Sequence, residues 1–285
     1  MRGRTKTTTK TSVRRISREG ESSRTDRVVT EEPLEIRVEG SKGAPAKSVS
    51  VTMRTPGNDF ELAAGFLAGE GLVRSRGDLR EITYCQDVDL QEYNVVSVRY
   101  AAPMPPDLDR LERNFYTSSA CGVCGKASLE SVEALGCDPL PSGNPILDPH
   151  VLMGLPDRMR EAQPVFDRTG GIHAAGLFRS DGTVLLVRED VGRHNAVDKV
   201  VGARILSGEP EIIGDEVLVV SGRVSFEILQ KAAMARIPVV VAVGAPTSLA
   251  VELARRFQIT LAGFARGGGM NVYTDSGRIP LEAGR

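Results

Sequence analysis

Two cysteines separated by two residues form the motif with the clearest chemical potential in this sequence. In the segment Ser118-Ser-Ala-Cys121-Gly-Val-Cys124-Gly-Lys-Ala-Ser128, a glycine follows one cysteine directly and another glycine follows the second. Glycine permits sharp turns and close approach by a partner. The unpaired N–H groups of the helix predicted next, together with Lys126, favour a thiolate over a thiol. We therefore predict that one of the two sulfurs is a nucleophile.

Three chemistries fit this motif. A structural zinc site would need two further ligands, and Cys137 and His150 form neither a second Cys-x-x-Cys nor a His-x-x-x-His pair. A dithiol that cycles through a disulfide is the second. Relay of a sulfur atom on one thiolate is the third, and we favour it over the other two; we expect no bound metal.

Polar side chains also cluster where a predicted strand meets a predicted helix, in the segment Arg188-Glu-Asp190-Val-Gly192-Arg193-His194-Asn195-Ala-Val-Asp198-Lys199. The N-terminus of a helix offers unpaired N–H groups to an anion, and Arg193 and His194 can add charge and proton exchange. The same pattern fits a capped helix with surface ion pairs and no ligand.

Glycine, arginine and hydroxyl side chains follow three predicted strands, in the segments Ser221-Gly222-Arg223, Gly244-Ala-Pro-Thr247-Ser248 and Arg266-Gly267-Gly268-Gly269. In open α/β sheets, ligands bind outside the carboxyl ends of the strands, where glycine lets the backbone approach a phosphate and arginine donates a fork of hydrogen bonds. None of the segments matches the Rossmann glycine pattern or the phosphate loop that ends in Gly-Lys-Ser/Thr. They predict a crevice for a nucleotide or pyrophosphate, and the alternative is a set of ordinary turns.

Composition places these motifs in a soluble protein of one large or two modest domains. The 285 residues carry 36 Lys+Arg and 37 Asp+Glu, so nothing global indicates a nucleic acid or an anionic membrane as partner. No stretch approaches the roughly 20 apolar residues that span a bilayer, and we expect a cytoplasmic protein. Residues 1–27 hold nine basic and three acidic side chains and are predicted to be a disordered basic tail. Residues 28–115 then form a small α+β domain, and residues 116–285 form an α/β domain that carries the Cys-x-x-Cys loop.

Periodicity supplies the elements of these domains. Segments of the second half alternate between Val/Ile/Leu strands and amphipathic helices: 217–220, 226–236, 239–243, 249–257 and 259–264. This alternation predicts a parallel sheet covered on both faces, to which residues 270–274 add an antiparallel edge. Asp181-Gly182 predicts a tight hairpin turn in which both residues take positive φ. Asn58 with Glu61 three positions on resembles the box of residues that starts a helix.

Several stretches, in one order, resemble the FdhD/NarQ family, the formate dehydrogenase accessory sulfurtransferases. The resemblance spans about residues 28 to 275. The matching stretches are Glu32-Pro-Leu-Glu-Ile36, Met53-Arg-Thr-Pro-Gly-Asn58, Glu61-Leu-Ala-Ala-Gly-Phe-Leu67 with Glu70-Gly71, Ser119-Ala-Cys-Gly-Val-Cys-Gly125, Gly171-Ile-His-Ala-Ala-Gly176, Glu189-Asp-Val-Gly-Arg-His-Asn-Ala196 with Asp198-Lys199, Ser221-Gly-Arg223, and Asn271-Val-Tyr-Thr274.

The resemblance implies a cytoplasmic, homodimeric sulfur carrier that takes persulfide sulfur from a cysteine desulfurase. The carrier would pass the sulfur to the molybdenum cofactor, bis-molybdopterin guanine dinucleotide, before that cofactor enters formate dehydrogenase. Cys121 would bear the persulfide, and Cys124 would assist or resolve it. The resemblance also implies a second half similar to the cytidine deaminase fold. A GDP-like guanine nucleotide is a possible mimic of the bound cofactor, and the expected cofactor contacts are Phe264, Ala265, Arg266, Gly267, Gly268, Gly269, Ser221, Gly222, Arg223, Arg193 and His194.

Zinc-dependent nucleoside deamination needs a His-x-Glu segment ahead of Pro-Cys-x-x-Cys. Here His173-Ala174-Ala175 lacks the Glu and follows the cysteines, and Ala120 stands where the Pro should be, so we exclude that activity. A cofactor-binding chaperone without covalent sulfur transfer and a Cys-x-x-Cys dithiol redox protein remain as alternatives.

Overall fold

The computed structural model describes residues 6–40, 46–85, 93–101, 129–208 and 214–280. Within these ranges the strands form a two-stranded, a four-stranded and a six-stranded sheet. We call the four-stranded one the N-terminal sheet and the six-stranded one the central sheet.

The N-terminal sheet packs on one helix. Its elements are β3 (Glu32–Glu39), β4 (Lys47–Arg54), α1 (Asp59–Gly69), β5 (Leu79–Tyr84) and β6 (Val95–Tyr100). The strand order is β4-β3-β6-β5, with β3 and β6 parallel and the two outer pairs antiparallel. Alternate side chains of β3, namely Leu34, Ile36 and Val38, are fully buried in a core that includes Leu62 and Leu67 of α1. Buried side chains therefore recur at every second residue of the strand and about every 3.6 residues of the helix, and the two sets pack together.

The central sheet is mixed rather than parallel. Its strands are β7 (His173–Arg179), β8 (Val184–Asp190), β9 (Glu216–Val220), β10 (Val239–Ala242), β11 (Thr260–Arg266) and β12 (Gly269–Thr274), in the order β12-β11-β10-β9-β7-β8. The predicted parallel strands at residues 217–220, 239–243 and 259–264 are confirmed as β9, β10 and β11. Strand β7 runs antiparallel to both neighbours, and a short turn joins it to β8. The predicted antiparallel edge at residues 270–274 is confirmed as β12.

Helices cover both faces of the central sheet. They are α2 (Leu129–Ala134), α3 (Pro149–Glu161), α4 (Pro164–Thr169), α5 (Arg193–Ser207), α6 (Phe226–Met234) and α7 (Ser248–Arg256). Leu218 and Val240 face a core shared with α5, α6 and α7. Val219 and Val241 face the opposite core, which α3 completes. Because neighbouring strand residues point to opposite faces, near-continuous apolar strands require this double cover. The likeness of this half to the cytidine deaminase fold stays a prediction.

The basic N-terminal segment forms a hairpin rather than a tail. Strands β1 (Thr8–Ser17) and β2 (Gly20–Val29) pair antiparallel along their whole length. The prediction of disorder was therefore wrong for residues 8–27. That prediction rested on the high charge and the scarcity of apolar residues, whereas the Thr and Val residues of this segment favour an extended backbone. We call β1 and β2 with their turn the arm.

The turn between β7 and β8 differs in detail from the prediction. Gly182 has a φ of 85°, while Asp181 is absent from the positive-φ residues of the described chain. Arg179 N donates to Thr183 O over 2.9 Å, and Asp181 Oδ1 accepts from Thr183 N over 2.8 Å. The acidic side chain thus caps the turn, and a single glycine supplies its left-handed residue.

The predicted helix-start box at Asn58 is absent. Asn58 has a φ of 58° and its side chain makes no capping hydrogen bond. Glu61 is instead held by Arg188 of β8, whose Nη2 donates to Glu61 Oε1 over 2.8 Å. A distant arginine therefore takes the carboxylate that the local pattern assigned to the helix start.

Helices α1 and α5 cross at two glycines. A Cβ atom built on Gly65 would lie 1.8 Å from the carbonyl oxygen of Asp198. A Cβ atom on Gly202 would lie 1.8 Å from the carbonyl oxygen of Glu61. Real atoms cannot approach so closely, so this contact between the N-terminal sheet's helix and the central sheet's helix requires glycine at both positions.

We predict that Gly202→Ala lowers the free energy of unfolding by about 3 kcal/mol, since the added methyl group must push α1 away from α5. Urea unfolding followed by circular dichroism measures this change. Gly154→Ala in α3 is the matched control, because a Cβ there would meet no atom within 4 Å. Its free energy of unfolding should rise by about 0.5 to 1 kcal/mol. Equal effects of the two substitutions would contradict the crossing geometry.

Candidate functional site

A buried ion pair lies where β8 passes into α5. Lys199 Nζ is 2.7 Å from Asp190 Oδ2, and their side chains are 1% and 0% exposed. Asp190 also accepts from Thr55 N over 3.1 Å and from Gly192 N over 2.8 Å. Lys199 Nζ donates to Thr55 O over 2.9 Å. Both charges are therefore hydrogen-bonded as well as paired, which is the condition for burying them.

Asn195 extends this contact to β4. Its Nδ2 donates to Met53 O over 2.8 Å and to Asp190 Oδ1 over 3.0 Å, while its Oδ1 accepts from Thr52 Oγ1 over 3.2 Å. We call Thr55, Asp190, Asn195 and Lys199 the junction. This partnership is not visible in the sequence, since Thr55 lies more than 130 positions before the other three junction residues.

Contacts with other elements account for many of the polar residues between positions 188 and 199. Arg188 holds Glu61, and Asp198 forms an ion pair with Lys231 Nζ over 2.7 Å. The alternative interpretation of this segment, a capped helix with surface ion pairs, is correct only in that these residues form ion pairs, since the N-cap Gly192 provides no side-chain cap. However, their ion pairs are largely buried and join separate elements instead of lying on the surface.

Arg193 is a residue of this segment that lies outside the junction. It begins α5, whose N-cap Gly192 offers no side-chain cap. Its Nε is buried and has no hydrogen-bond partner among the residues that the structure describes. A Cβ atom on Gly222 would lie 3.8 Å from Arg193 Cδ and 3.4 Å from His173 Nδ1. The helix start, β7 and the loop after β9 therefore meet at one place.

The loops that follow β9 and β10 contact each other and strand β11 through their backbones. A Cβ atom on Gly244 would lie 2.8 Å from Gly222 O and 2.9 Å from Arg223 N. Gly244 N donates to Gly222 O over 3.2 Å, and Phe264 N donates to Gly244 O over 3.2 Å. We call Arg193, Gly222, Gly244 and Phe264 the crevice. Glycine at position 244 is required by these close contacts.

Ser221 and the Phe264–Gly269 segment divide between structural and exposed roles. Ser221 Oγ accepts from Ala174 N over 2.9 Å, so this hydroxyl group fixes the loop to β7. Ala265 is fully buried in the core beneath α3, which removes its side chain from any ligand. Phe264 is 38% exposed with a φ of 53°.

The three glycines after Arg266 have no close neighbours. Gly267 and Gly268 have φ values of 59° and 76°, and they turn the chain from β11 into β12. A Cβ atom on any of Gly267, Gly268 and Gly269 would meet nothing within 4 Å. Their glycine identity therefore suits a left-handed turn, and Arg266 before them is exposed.

His194 lies beside α6. Its Nε2 is 3.1 Å from Ser225 Oγ and 3.8 Å from Glu227 Oε2. Burial, followed by the positive charges of Lys231 and Arg193, lowers the pKa of His194 to about 4, against a smaller opposing effect of Glu227. The expectation that His194 adds charge therefore fails at neutral pH, where its imidazole is uncharged.

His173 is uncharged at neutral pH for the same reason. Burial and then the charge of Arg193 lower the pKa of His173, while Asp190 opposes them. The positive charge of the crevice therefore comes from Arg193, with the exposed Arg223 beside it. Arginine stays protonated at all relevant pH values and offers several donors to an anion.

Known proteins match this chain over nearly its whole length. A model of the FdhD/NarQ family matches residues 29–280. The chain belongs to the FdhD/NarQ family. It is 52% identical over 267 residues to the Sulfur carrier protein FdhD of Streptomyces coelicolor, with 92% of each chain covered. It is 50% identical over 275 residues to the Sulfur carrier protein FdhD of Mycobacterium tuberculosis, which covers 94% of this chain and 96% of the relative.

A solved structure agrees with the fold. The crystal structure described as a formate dehydrogenase accessory protein from Desulfotalea psychrophila superposes with a TM-score of 0.73 and 24% sequence identity. The superposition covers 96% of this chain and 100% of that chain. The mixed α/β architecture is therefore shared by this FdhD/NarQ member and that protein.

The predicted nucleophiles of this FdhD/NarQ member, Cys121 and Cys124, lie outside the described residues. Of the cysteines that the structure does describe, Cys137 is buried, and burial raises the pKa of its thiol. That change opposes thiolate formation. In the described part of the chain no group of three or more His, Cys, Asp or Glu side chains could hold a metal ion. None of the described helices is long and apolar enough to cross a membrane.

We predict that the imidazole of His194 titrates with a midpoint near its pKa of about 4 in the folded protein. Below the ordinary value of 6.5 the unfolded chain binds a proton that the folded chain does not bind. The contribution of His194 to stability is therefore lost as the pH falls from 6.5 to about 4, and it is constant above that window. NMR titration with His194→Gln as the assignment control measures the midpoint. A midpoint near 6.5 would contradict this electrostatic description.

Proposed function

We propose that this FdhD/NarQ member carries sulfur for the maturation of formate dehydrogenase. It would take sulfur from the persulfide of a cysteine desulfurase and transfer it to the molybdenum cofactor, bis-molybdopterin guanine dinucleotide. The observation that carries the proposal is that proteins named sulfur carriers are about half identical to this chain over more than nine tenths of its length. The Cys121-Gly-Val-Cys124 motif, which suits a sulfur nucleophile, agrees with it.

The chemistry of the first step balances without an added oxidant. The Cys121 thiolate attacks the outer sulfur of the donor persulfide, a new S–S bond forms on Cys121, and the donor's S–S bond breaks. The donor cysteine leaves as a thiolate with the electron pair of that bond, and the proton of the outer sulfur remains on the new persulfide. Cys124 would assist or resolve this persulfide. In the second step a nucleophilic group of the acceptor would attack the outer sulfur and take it as sulfane sulfur, while the electron pair of the S–S bond leaves on Cys121 and restores its thiolate.

Arg193, the start of α5 and Phe264 support the binding of a guanine dinucleotide at the crevice. Arg193 presents a buried Nε that has no partner among the described residues, and the backbone N–H groups at the start of α5 lie beside it. Such a combination binds phosphate oxygens. The ring of Phe264, which is 38% exposed, offers an aromatic face to a base.

We predict that Arg193→Met weakens the binding of guanosine diphosphate by tenfold or more, since a charged hydrogen bond contributes about 1.5 to 3 kcal/mol. Isothermal titration calorimetry measures the dissociation constant. Arg80→Met is the matched control, because Arg80 is an exposed arginine at the N-terminal sheet and distant from the crevice residues in sequence. Unchanged affinity in Arg193→Met would contradict the proposal that the crevice binds the guanine nucleotide.

We predict that the protein gains one sulfur atom on incubation with a cysteine desulfurase and cysteine, and that Cys121→Ala abolishes this gain. Intact-mass spectrometry measures the adduct, and dithiothreitol treatment should remove it. Cys124→Ala is the matched control, and it should retain the adduct because Cys121 bears the sulfur.

Three outcomes would contradict the relay. If the natural protein forms no adduct, and if Cys121→Ala still binds the nucleotide and activates formate dehydrogenase, the protein is a chaperone without covalent transfer. A disulfide between Cys121 and Cys124 that forms and reopens during turnover, with equal losses in both variants, would indicate a dithiol redox protein. One equivalent of co-purified zinc with no adduct would indicate a structural metal site.

A further inference from the structure

The arm stands apart from the remainder of the fold. The family model begins at residue 29, where the arm ends. Its two strands are ten residues each, and no third strand of the described chain pairs with them. Most of their side chains are exposed, and strand β2 lies beside the short helix α4. A two-stranded ribbon with two solvated faces is marginally stable by itself, so the arm gains little from its own packing.

The arm places like charges opposite each other. Lys10 of β1 pairs in register with Arg27 of β2. Directly opposed like charges destabilise a sheet. Neither side chain forms an ion pair within the part of the chain that the structure describes, whereas Arg14 on the same face is paired with Glu21 over 3.2 Å. The repulsion between Lys10 and Arg27 therefore stays uncompensated in the isolated chain.

The charge of the arm opposes that of the body. Residues 1–27 hold nine basic and three acidic side chains, and residues 28–285 hold 27 basic and 34 acidic ones. Two of the three acidic groups, Glu21 and Asp26, are taken by arginines of the arm itself. Lys10, Arg15, Arg18 and Arg27 are exposed. The arm is consequently a cationic projection on a chain of nearly zero net charge.

The cations lie on both faces of the ribbon. Alternation puts Lys10 and Arg27 on one face and Arg15 on the other. A flat membrane or a duplex backbone would meet only one of these faces. An extended chain beside the ribbon would project its own side chains alternately to both faces and would hydrogen-bond to the open strand edge.

We propose that the arm binds an acidic, extended segment of a partner protein, which adds as a further strand along the free edge of the ribbon. Its carboxylates would then lie near Lys10 and Arg27 on one face and near Arg15 on the other. This contact relieves the repulsion between Lys10 and Arg27. The proposal uses neither the crevice nor Cys121, so it stands or falls independently of sulfur transfer.

The test uses the full chain and a fluorescein-labelled peptide of alternating Glu and Val, read by fluorescence anisotropy at low ionic strength. The double substitution Lys10→Ser with Arg27→Ser should weaken binding about tenfold. Arg80→Ser with Arg255→Ser is the matched control, because it removes two exposed arginines of the body, and it should leave binding unchanged. The melting temperature of the arm variant should stay equal or rise, since the substitution removes a repulsion.

A second peptide separates strand addition from charge attraction. A peptide of alternating Glu and Pro carries the same charge but lacks half of the N–H groups, so it should bind at least tenfold more weakly than the Glu-Val peptide. Equal binding of the two peptides would overturn strand addition. The proposal also fails if the Glu-Val peptide does not bind, or if both double variants lose binding equally.

Other occupants of the arm give distinct results. Arm-dependent binding of anionic phospholipid vesicles or of duplex DNA, without binding of the Glu-Val peptide, would overturn the proposal. So would a change from dimer to monomer in sedimentation when Lys10 and Arg27 are replaced, because the arm would then serve a second copy of this chain. Retention of the adduct-forming activity at Cys121 in the arm variant is expected in every case.

Discussion

The ion pair between Asp190 and Lys199 is the interaction on which the rest of the site depends. Both charges are withdrawn from water, which costs several kcal/mol for each ion unless hydrogen bonds replace the lost solvation. Here the backbone of Thr55 and the N–H of Gly192 supply those bonds. The carboxylate therefore connects three things at once: the end of β8, the start of α5 and the loop after β4.

This arrangement explains why, among the residues that the structure describes, Arg193 is the cation of this polar segment that keeps a buried donor without a partner. Arg188, Asp190, Asn195 and Lys199 are consumed in joining the N-terminal sheet to the central sheet. The glycine crossing of α1 and α5 sets the distance at which they can do so. Arg193 stays at the helix start, where its buried Nε has no hydrogen-bond partner in the part of the chain that the structure describes. The same contacts that hold the two sheets together thus also aim one arginine at the carboxyl ends of the parallel strands, where α/β proteins bind ligands.

The sequence predicts the local elements well and the long-range partners poorly. Val/Ile-rich runs identify β9, β10 and β11 because continuous burial leaves a visible pattern, and the helix after the cysteine motif is confirmed at Leu129–Ala134. Glu61 could not be assigned correctly from its neighbours, since its partner Arg188 is 127 positions away.

The charge state and burial of His194 could not be predicted from the sequence for the same reason. The pKa of His194 depends on burial by other elements and on Lys231, and neither is visible in the residues beside it. The prediction of a disordered tail was wrong for the arm because it rested on charge composition. Composition carries no information about strand pairing, and Thr8–Ser17 pairs with Gly20–Val29 in a defined register. Cys121 and Cys124 were found from spacing alone, and their role rests on chemistry and on the named relatives.

The most direct test of the central claim is the affinity for guanosine diphosphate of a chain in which Asp190→Leu and Lys199→Met replace the ion pair with apolar side chains. Such a replacement keeps the volume filled and leaves no buried charge, so the fold can persist. Because Gly192 N then loses its carboxylate, the start of α5 should shift, and the dissociation constant should rise about tenfold with Arg193 intact. An affinity equal to that of the natural chain would contradict the claim that this pair positions the site.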